Sequence, residues 1–327
     1  MKLVVNMPVF NEEEKLGETI ERIKKSFNLP FYSQDGSKIT EKLIQIVDDG
    51  SSDRSVEIAK AHGVNLIVSY KPNRRLAYAF KQAVENSLAN GADIMVNIDA
   101  DGQFNPNDIP KLLLPILNKQ TDISVASRFG EKKAKDIPWI KNFGNRLASN
   151  IIGFFLGCKT DDLTCGFRVY SREAMLRLNL VNTHFTYTAE TIIDAIGKNL
   201  KPIWVPLTVT YYHDRKSKMA KSIYKFVSNS FKVILKAIRD VRPMKFFGWP
   251  GLFMISIGLV FFLIFLINYF ISFKITPYIN YILFSAILIF LGIQLLIFAL
   301  IADMIKSNRQ LTEEQFYQWK KDKYDKK

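Results

Sequence analysis

"DIMVNIDADGQFNP", Asp93 to Pro106, carries an apolar run into two carboxylates, Asp99 and Asp101, followed by a glycine and Gln103. An extended segment sends alternate residues to one side, so both carboxylates can meet one hard cation. Without that ion their repulsion would raise one pKa and cost stability. A lone D-x-D recurs by chance in surface loops, and its weight here comes from its place at the end of a strand.

The same pattern recurs upstream. "KLVVNM" precedes the helical "EEEKLGETIERIKKSF", "LIQIVDD" precedes "DRSVEIAKAHG", "VNLIVSY" precedes "LAYAFKQAVENSLANG", and "DIMVNIDAD" precedes "NDIPKLLLPILNK". This alternation predicts an α/β fold, a mostly parallel sheet with flanking helices. Ligands of such sheets gather at the carboxyl ends of the strands. The polar clusters "PVFNEEE", "DDGSSD" and "DADGQ" fall there. "NLPFYSQDGSKITEK", between the first helix and second strand, reads as a surface loop. No G-x-G-x-x-G or P-loop lysine motif opens any of these helices. Phosphates must therefore be held another way, and a metal between two carboxylates would do it.

The 327 residues leave room for an appendage beyond one large domain. No charge appears from Gly248 to Ile271 or from Ile279 to Ala302. Each run exceeds the roughly 20 apolar residues that cross a bilayer core of about 30 Å. Of the net charge of +14, little lies in residues 1–200, with 26 Lys and Arg against 24 Asp and Glu; residues 201–327 carry 19 against 7. A basic excess beside hydrophobic spans points to anionic lipid and topology and away from nucleic acid. Lys232, Lys236, Arg239, Arg242 and Lys245 precede the first run, and Lys306, Arg309, Lys320, Lys321 and Lys323 follow the second, whereas the link between them has only Lys274. By the positive-inside rule both termini and the catalytic domain are expected in the cytoplasm of an integral cell-membrane protein. "MKLVVNMPVF" enters a strand at once, without the apolar core of a signal peptide. Cys158 and Cys165 are too few for a disulfide framework and read as small buried residues.

In order and spacing, "MPVFNEE", "VDDGSSD" and "DADGQ" resemble the inverting GT-A glycosyltransferases. The later "ASRF", "DLTCGFRVYSREA", "YTAETI" and "RKSKM" are similar to the polyprenyl-phosphate glycosyltransferases, the group that includes dolichyl-phosphate mannose synthase. The resemblance implies a GT-A nucleotide-sugar-binding fold plus a two-helix transmembrane anchor. It further implies an enzyme that moves a sugar from a nucleotide-diphosphate sugar to an undecaprenyl or dolichyl phosphate with inversion. Pro8, Phe10 and Glu12 would line the nucleotide pocket, with Asp49 reaching the base. Asp99, Ala100 and Asp101 would face the donor diphosphate, and Asp99, Asp101 and Gln103 its Mg²⁺ or Mn²⁺. Arg128, Arg146 with Ser149, and Arg215 with Lys218 match positions that handle the acceptor phosphate. Asp101, Asp162 and Arg128 are the catalytic candidates. Asp162 serves either as base or as anchor in an ion pair with Arg168. Glu190 contacts the sugar or merely sits on a helix, and His213 touches phosphate or packs. Relatives have glycine where this chain has Arg75, which puts the local turn in question.

For Asp48 and Asp49 the residues themselves suggest a turn and helix cap around "DDGSSD", with Ser52 or Asp53 capping, alongside nucleotide binding. In "MAKSIYKFVSNSFKVILKAIRD", Ile223, Phe226, Val227, Phe231, Ile234 and Ile238 form one helical stripe with lysines elsewhere, the pattern of a helix lying in the membrane interface. The expected organisation is therefore a catalytic domain over 1–218, amphipathic interfacial helices over 219–245, two transmembrane helices within 246–304 (about 248–271 and 279–302), and a basic cytoplasmic tail over 305–327. Homo-oligomerisation is left open. Two other readings compete: a processive polysaccharide synthase and a non-catalytic nucleotide-binding membrane scaffold. The first needs more spans and a Q-x-x-R-W motif, and "QFYQW", Gln315 to Trp319, has Gln where Arg belongs. The second gives no reason to keep both carboxylates and the basic positions.

Overall fold

The structure, a computed structural model, describes residues 1–33, 38–128, 150, 153, 160–179, 187–207, 235, 239 and 241–325. Residues 1–234 and 315–327 form one compact unit, and residues 235–314 a second.

The first unit is built on β1 (Lys2–Val9), β2 (Glu41–Asp48), β3 (Leu66–Ser69), β4 (Ile94–Asn97), β5 (Ile123–Ser127), β6 (Arg168–Ser171) and β7 (Ile203–Pro206). They lie in the order β3-β2-β1-β4-β6-β5-β7. β1 is parallel to β2 and β4, β2 to β3, and β5 to β7. β6 alone runs antiparallel to its neighbours, β4 and β5. The crossovers are α1 (Glu13–Ser26), the short α2 (Pro30–Ser33), α3 (Ser55–Ala61), α4 (Leu76–Ala89), α5 (Ile109–Leu117), α6 (Arg172–Arg177) and α7 (Tyr187–Gly197). Covered on both faces, β1 and β4 read as near-continuous apolar runs, with Leu3, Val4, Val5, Ile94, Met95 and Val96 all within the core. The segment expected as a surface loop after α1 is partly inside. Tyr32 and Ile39 are 6 % and 4 % exposed, and Tyr32 packs edge-on against Phe27. Aromatic and β-branched side chains in a polar stretch bury whenever a neighbouring helix leaves room for them.

The second unit holds α8 (Trp249–Ser272) and most of α9, which runs without a break over Ile279–Asp325. Both helices are long and apolar enough to cross a membrane, and only 17 % of their most apolar stretches is buried. A soluble core helix would be enclosed. α8 spans about 36 Å at 1.5 Å per residue, enough for a bilayer core. The two helices touch through glycines: a Cβ on Gly292 would meet the Gly251 carbonyl at 2.8 Å, and one on Gly258 would meet Ile289 Cγ1 at 2.7 Å.

The final turns of α9 belong to the first unit. Tyr317 donates to Glu173 Oε2 at 3.0 Å and lies under the Arg177 guanidinium, 4.2 Å from the ring centre. Lys320 donates to the Leu178 carbonyl at 3.0 Å and to Asn179 Oδ1 at 2.8 Å. Arg172 donates to Asp325 Oδ1 at 2.8 Å and to the Tyr324 carbonyl at 3.0 Å. The interfacial stripe over 219–240 lies almost wholly outside the described residues.

Candidate active site

The carboxyl ends of β1, β2 and β4 meet at the middle of the sheet, and their loops are laced together. The Asn11 and Glu12 amides donate to Ser51 Oγ and Ser55 Oγ at 2.9 and 3.0 Å, and the Glu13 amide to Asp53 Oδ2 at 3.1 Å. Asp53 also accepts the Ser55 amide at 3.0 Å, but the N-cap position of α3 is Arg54, so neither Ser52 nor Asp53 is the expected helix cap. The adjacent aspartates divide the work. Asp48 is structural, accepting Ser51 N–H at 3.0 Å and the Ser69 hydroxyl at 2.7 Å. Asp49 takes the Arg74 amide on Oδ1 at 2.7 Å, while Asn73 reaches its carbonyl at 3.0 Å. Gly50, at φ +80°, is required here, since a Cβ would meet Asn73 N and the Tyr70 carbonyl at 3.1 Å. Pro8 is half-buried and Phe10 stands 41 % exposed at the rim.

Past β4 the chain turns at Gly102, φ +73°. Two α1 side chains hold this turn: Thr19 donates to the Ala100 carbonyl at 3.0 Å and Arg22 to the Gly102 carbonyl at 3.1 Å. Asp101 Oδ1 accepts the Gln103 amide at 3.1 Å. Burial pushes Asp99 up to about 7, and neighbouring Asp101 and Glu12 push the same way, while Arg128 and Arg168 oppose them. Glu12, Asp99, Asp101 and Arg128 thus share one electrostatic neighbourhood. Among the described residues no group of three or more His, Cys, Asp or Glu forms a closed metal cage. The acidic pair fits an open site, where two protein carboxylates hold a hard cation and a substrate's phosphate oxygens complete its shell.

At the end of β5, Arg128 closes on Asp162. Its Nε lies 2.6 Å from Oδ2 and its Nη2 2.8 Å from Oδ1, and the Asp162 side chain is fully buried. Thr164 reinforces the pair, donating its amide to Asp162 Oδ1 at 3.2 Å. The partnership expected between Asp162 and Arg168 is not formed. Arg168 is fully buried and donates to three carbonyls, those of Cys165, Thr188 and Leu163, at 2.7, 2.7 and 3.0 Å. Register explains the difference: β6 enters the sheet antiparallel with Arg168 opposite Asn97, so its side chain points into the core. Glu190 is 9 % exposed on α7. Cys165 is buried, and burial pushes its thiol up to about 12, which makes it an inert packing residue. Arg146, Ser149, Arg215, Lys218, His213 and Cys158 lie outside the described residues.

Sequence reasoning missed Thr19, Arg22 and Asn97. Thr19 and Arg22 stand three apart, one face of α1, which is a signal for a shared target. Asn97 gave none beyond being polar in an apolar strand.

Residues 4–178 match the family described as Glycosyl transferase family 2. Protein MJ1222 of Methanocaldococcus jannaschii is 31 % identical over 72 % of this chain and 91 % of its own length. The UDP-N-acetylglucosamine–dolichyl-phosphate N-acetylglucosaminyltransferase of Methanococcus voltae is 28 % identical over 63 % of this chain and 84 % of its own. Among solved structures, glucosyl-3-phosphoglycerate synthase from Mycobacterium tuberculosis, in complex with Mn²⁺, UDP-glucose and phosphoglyceric acid, superposes with a TM-score of 0.53 at 20 % identity, covering 72 % of this chain and 79 % of that one.

Proposed function

Because the chain belongs to glycosyl transferase family 2, we propose that it moves a hexose from a nucleoside-diphosphate sugar to a polyprenyl phosphate, with inversion, at the cytoplasmic face of a membrane. The observation that supports this reading is the acidic pair at the end of β4, whose Asp99 feels the charge of Arg128, itself paired with Asp162 at the end of β5, in a chain that also holds two apolar helices of membrane-spanning length. The relative from Methanococcus voltae, named for a UDP-sugar donor and a dolichyl-phosphate acceptor, supports the substrate classes.

In this reading Pro8, Phe10, Glu12 and Asp49 bind the nucleotide, and Asp99, Ala100, Asp101 and Gln103 face the diphosphate with Mg²⁺ or Mn²⁺. The Mn²⁺ in glucosyl-3-phosphoglycerate synthase supports a divalent cation. A bound divalent cation neutralises the departing diphosphate and makes it a better leaving group. A phosphate oxygen of the acceptor attacks the anomeric carbon, and the bond from that carbon to the β-phosphate oxygen breaks. The acceptor oxygen is already anionic at neutral pH, so no strong base is needed. This removes the demand for Asp162 to take a proton, and its two contacts to Arg128 suit a positioning role: it sets the guanidinium that receives the acceptor phosphate, a target suited to bidentate arginine. Arg146, Ser149, Arg215 and Lys218 complete the acceptor site. The domain boundaries proposed are those expected from sequence, with residues 315–327 reassigned to the catalytic unit.

The test incubates membranes carrying the protein with a panel of nucleotide sugars and polyprenyl phosphate, and identifies the lipid product by mass and anomeric configuration. Asp101→Asn should lower transfer by about 10²-fold or more with unchanged thermal unfolding, the scale on which one charge-stabilising group acts. Full turnover of that variant in the presence of a chelator would sink the metal assignment, and a retained anomer would sink the single displacement.

A further inference from the structure

Four polar side chains stand in a row across the middle of the sheet. Gln45 on β2, Asn6 on β1, Asn97 on β4 and Arg168 on β6 occupy matched register positions, and none is more than 1 % exposed. Sheet interiors of this kind take Val, Ile and Leu, and a buried amide costs free energy unless it is bonded. Each one here is bonded, and the donation runs one way. Asn86 on α4 donates to Gln45 Oε1 at 2.8 Å, and Gln45 donates to Asn6 Oδ1 at 3.0 Å. Asn6 in turn donates to Asn97 Oδ1 at 2.8 Å, and Asn97 to the Gly166 carbonyl at 3.0 Å. Arg168 takes the Leu163 and Cys165 carbonyls of the same turn. Strand side chains thus hold three carbonyls of the segment between Asp162 and Phe167.

The Asp99 carboxylate packs against Gly166 of that segment: a Cβ built there would lie 2.7 and 2.9 Å from its two oxygens. Any drift of the Gly166 backbone would either press on that carboxylate or release it. We infer that the row Gln45–Asn6–Asn97, ending on Gly166, is a positioning device that sets where the Asp99 carboxylate stands and so how tightly the site takes a divalent cation together with a nucleoside diphosphate. It rests on the proposed reading of Asp99 and Asp101 as metal-facing. A row that served only to hold strands together would affect stability; one that sets Asp99 affects cation affinity at constant fold.

The test uses the full-length protein in lipid nanodiscs and follows Mn²⁺ binding in the presence of UDP through the electron paramagnetic resonance signal of free Mn²⁺. Asn97→Ala and Asn6→Leu should each weaken Mn²⁺ about tenfold, the scale of outer-sphere ligand positioning. Val84→Ala opens a cavity beneath α4 while removing no hydrogen-bonding group of the row, and should stay within about twofold of wild type. Wild-type Mn²⁺ affinity in folded Asn97→Ala and Asn6→Leu, or an equal loss in Val84→Ala, overturns the inference. If both core variants fail to fold, Asn86→Ala at the half-buried head of the row decides: an affinity at least twofold weaker supports the device, and an unchanged one overturns it. Mn²⁺ binding indifferent to Asp101→Asn would sink the metal site itself, and the inference with it.

Discussion

Arg75 holds a backbone conformation that belongs to glycine. Its φ of 73° and ψ of 166° precede the first turn of α4, in a region that costs a side-chain-bearing residue about 1–3 kcal/mol. Two bonds keep it there: its amide donates to Asn73 Oδ1 at 3.2 Å, and its carbonyl accepts from Tyr78 at 3.1 Å. Arg75→Gly should therefore raise stability by about 1 kcal/mol, the relieved strain less the entropy that glycine adds to the unfolded chain. Thermal unfolding checks this, and a midpoint that falls would mean that no strain is stored. Nucleotide affinity measured beside it reports whether the guanidinium has a use at the donor site. The position was legible in the sequence because the resemblance to the polyprenyl-phosphate glycosyltransferases implies glycine there. The Asp162–Arg128 pair was not legible: its members stand 34 positions apart, and only the antiparallel entry of β6 decides which arginine turns inward.

At the scale of elements, the two long apolar helices were legible because uncharged runs of more than 20 residues have few alternatives in water. Their packing was not, because glycine in an apolar helix is ambiguous until its neighbour is known. At Gly251, Gly258 and Gly292 α8 and α9 approach too closely to admit a Cβ without a shift, as small residues allow between helices in lipid. A Cβ on Gly292 would stand 2.5 Å from Ile255 Cγ1 and 2.8 Å from the Gly251 carbonyl, and that backbone cannot yield. Gly292→Ala should therefore destabilise the helix pair by about 1–3 kcal/mol. Gly248→Ala is the control, since nothing lies within 4 Å of its added carbon. Thermal unfolding in detergent should separate the two, and equal midpoints would contradict the contact. The parallel sheet was readable from strand and helix alternation, whereas the antiparallel β6 was not, since a four-residue strand carries no signal of its direction.

At the scale of the whole molecule, the segment after the second apolar run read as a basic tail because seven of its residues from Lys306 to Lys327 are Lys or Arg and its apolar positions are few. Tyr317, Lys320 and Tyr324 are in fact 8 %, 6 % and 9 % exposed, packed within the catalytic unit. A protein ending at residue 234 should melt about 5 °C lower than the same protein supplied with a peptide of residues 313–327, given roughly 2–4 °C per kcal/mol for a domain of this size. Identical midpoints would show that the tail adds nothing. Burial lowers the Lys320 amine from 10.5 to about 8. The undocked amine keeps its proton between those values and the docked one sheds it, so docking strengthens as pH rises through that window and is weakest below about 8. Titration of the peptide should show this slope, and a Lys320→Met peptide should lose it. The position of these residues in the chain also has a consequence for biosynthesis. Translation delivers residues 1–234 before both apolar helices, and those before Tyr317 to Asp325. A nascent chain stalled or cleaved after the second apolar helix therefore carries a catalytic unit short of its Tyr317 to Asp325 contacts, and quality control that senses loose domains can remove it before an incompletely made enzyme accumulates.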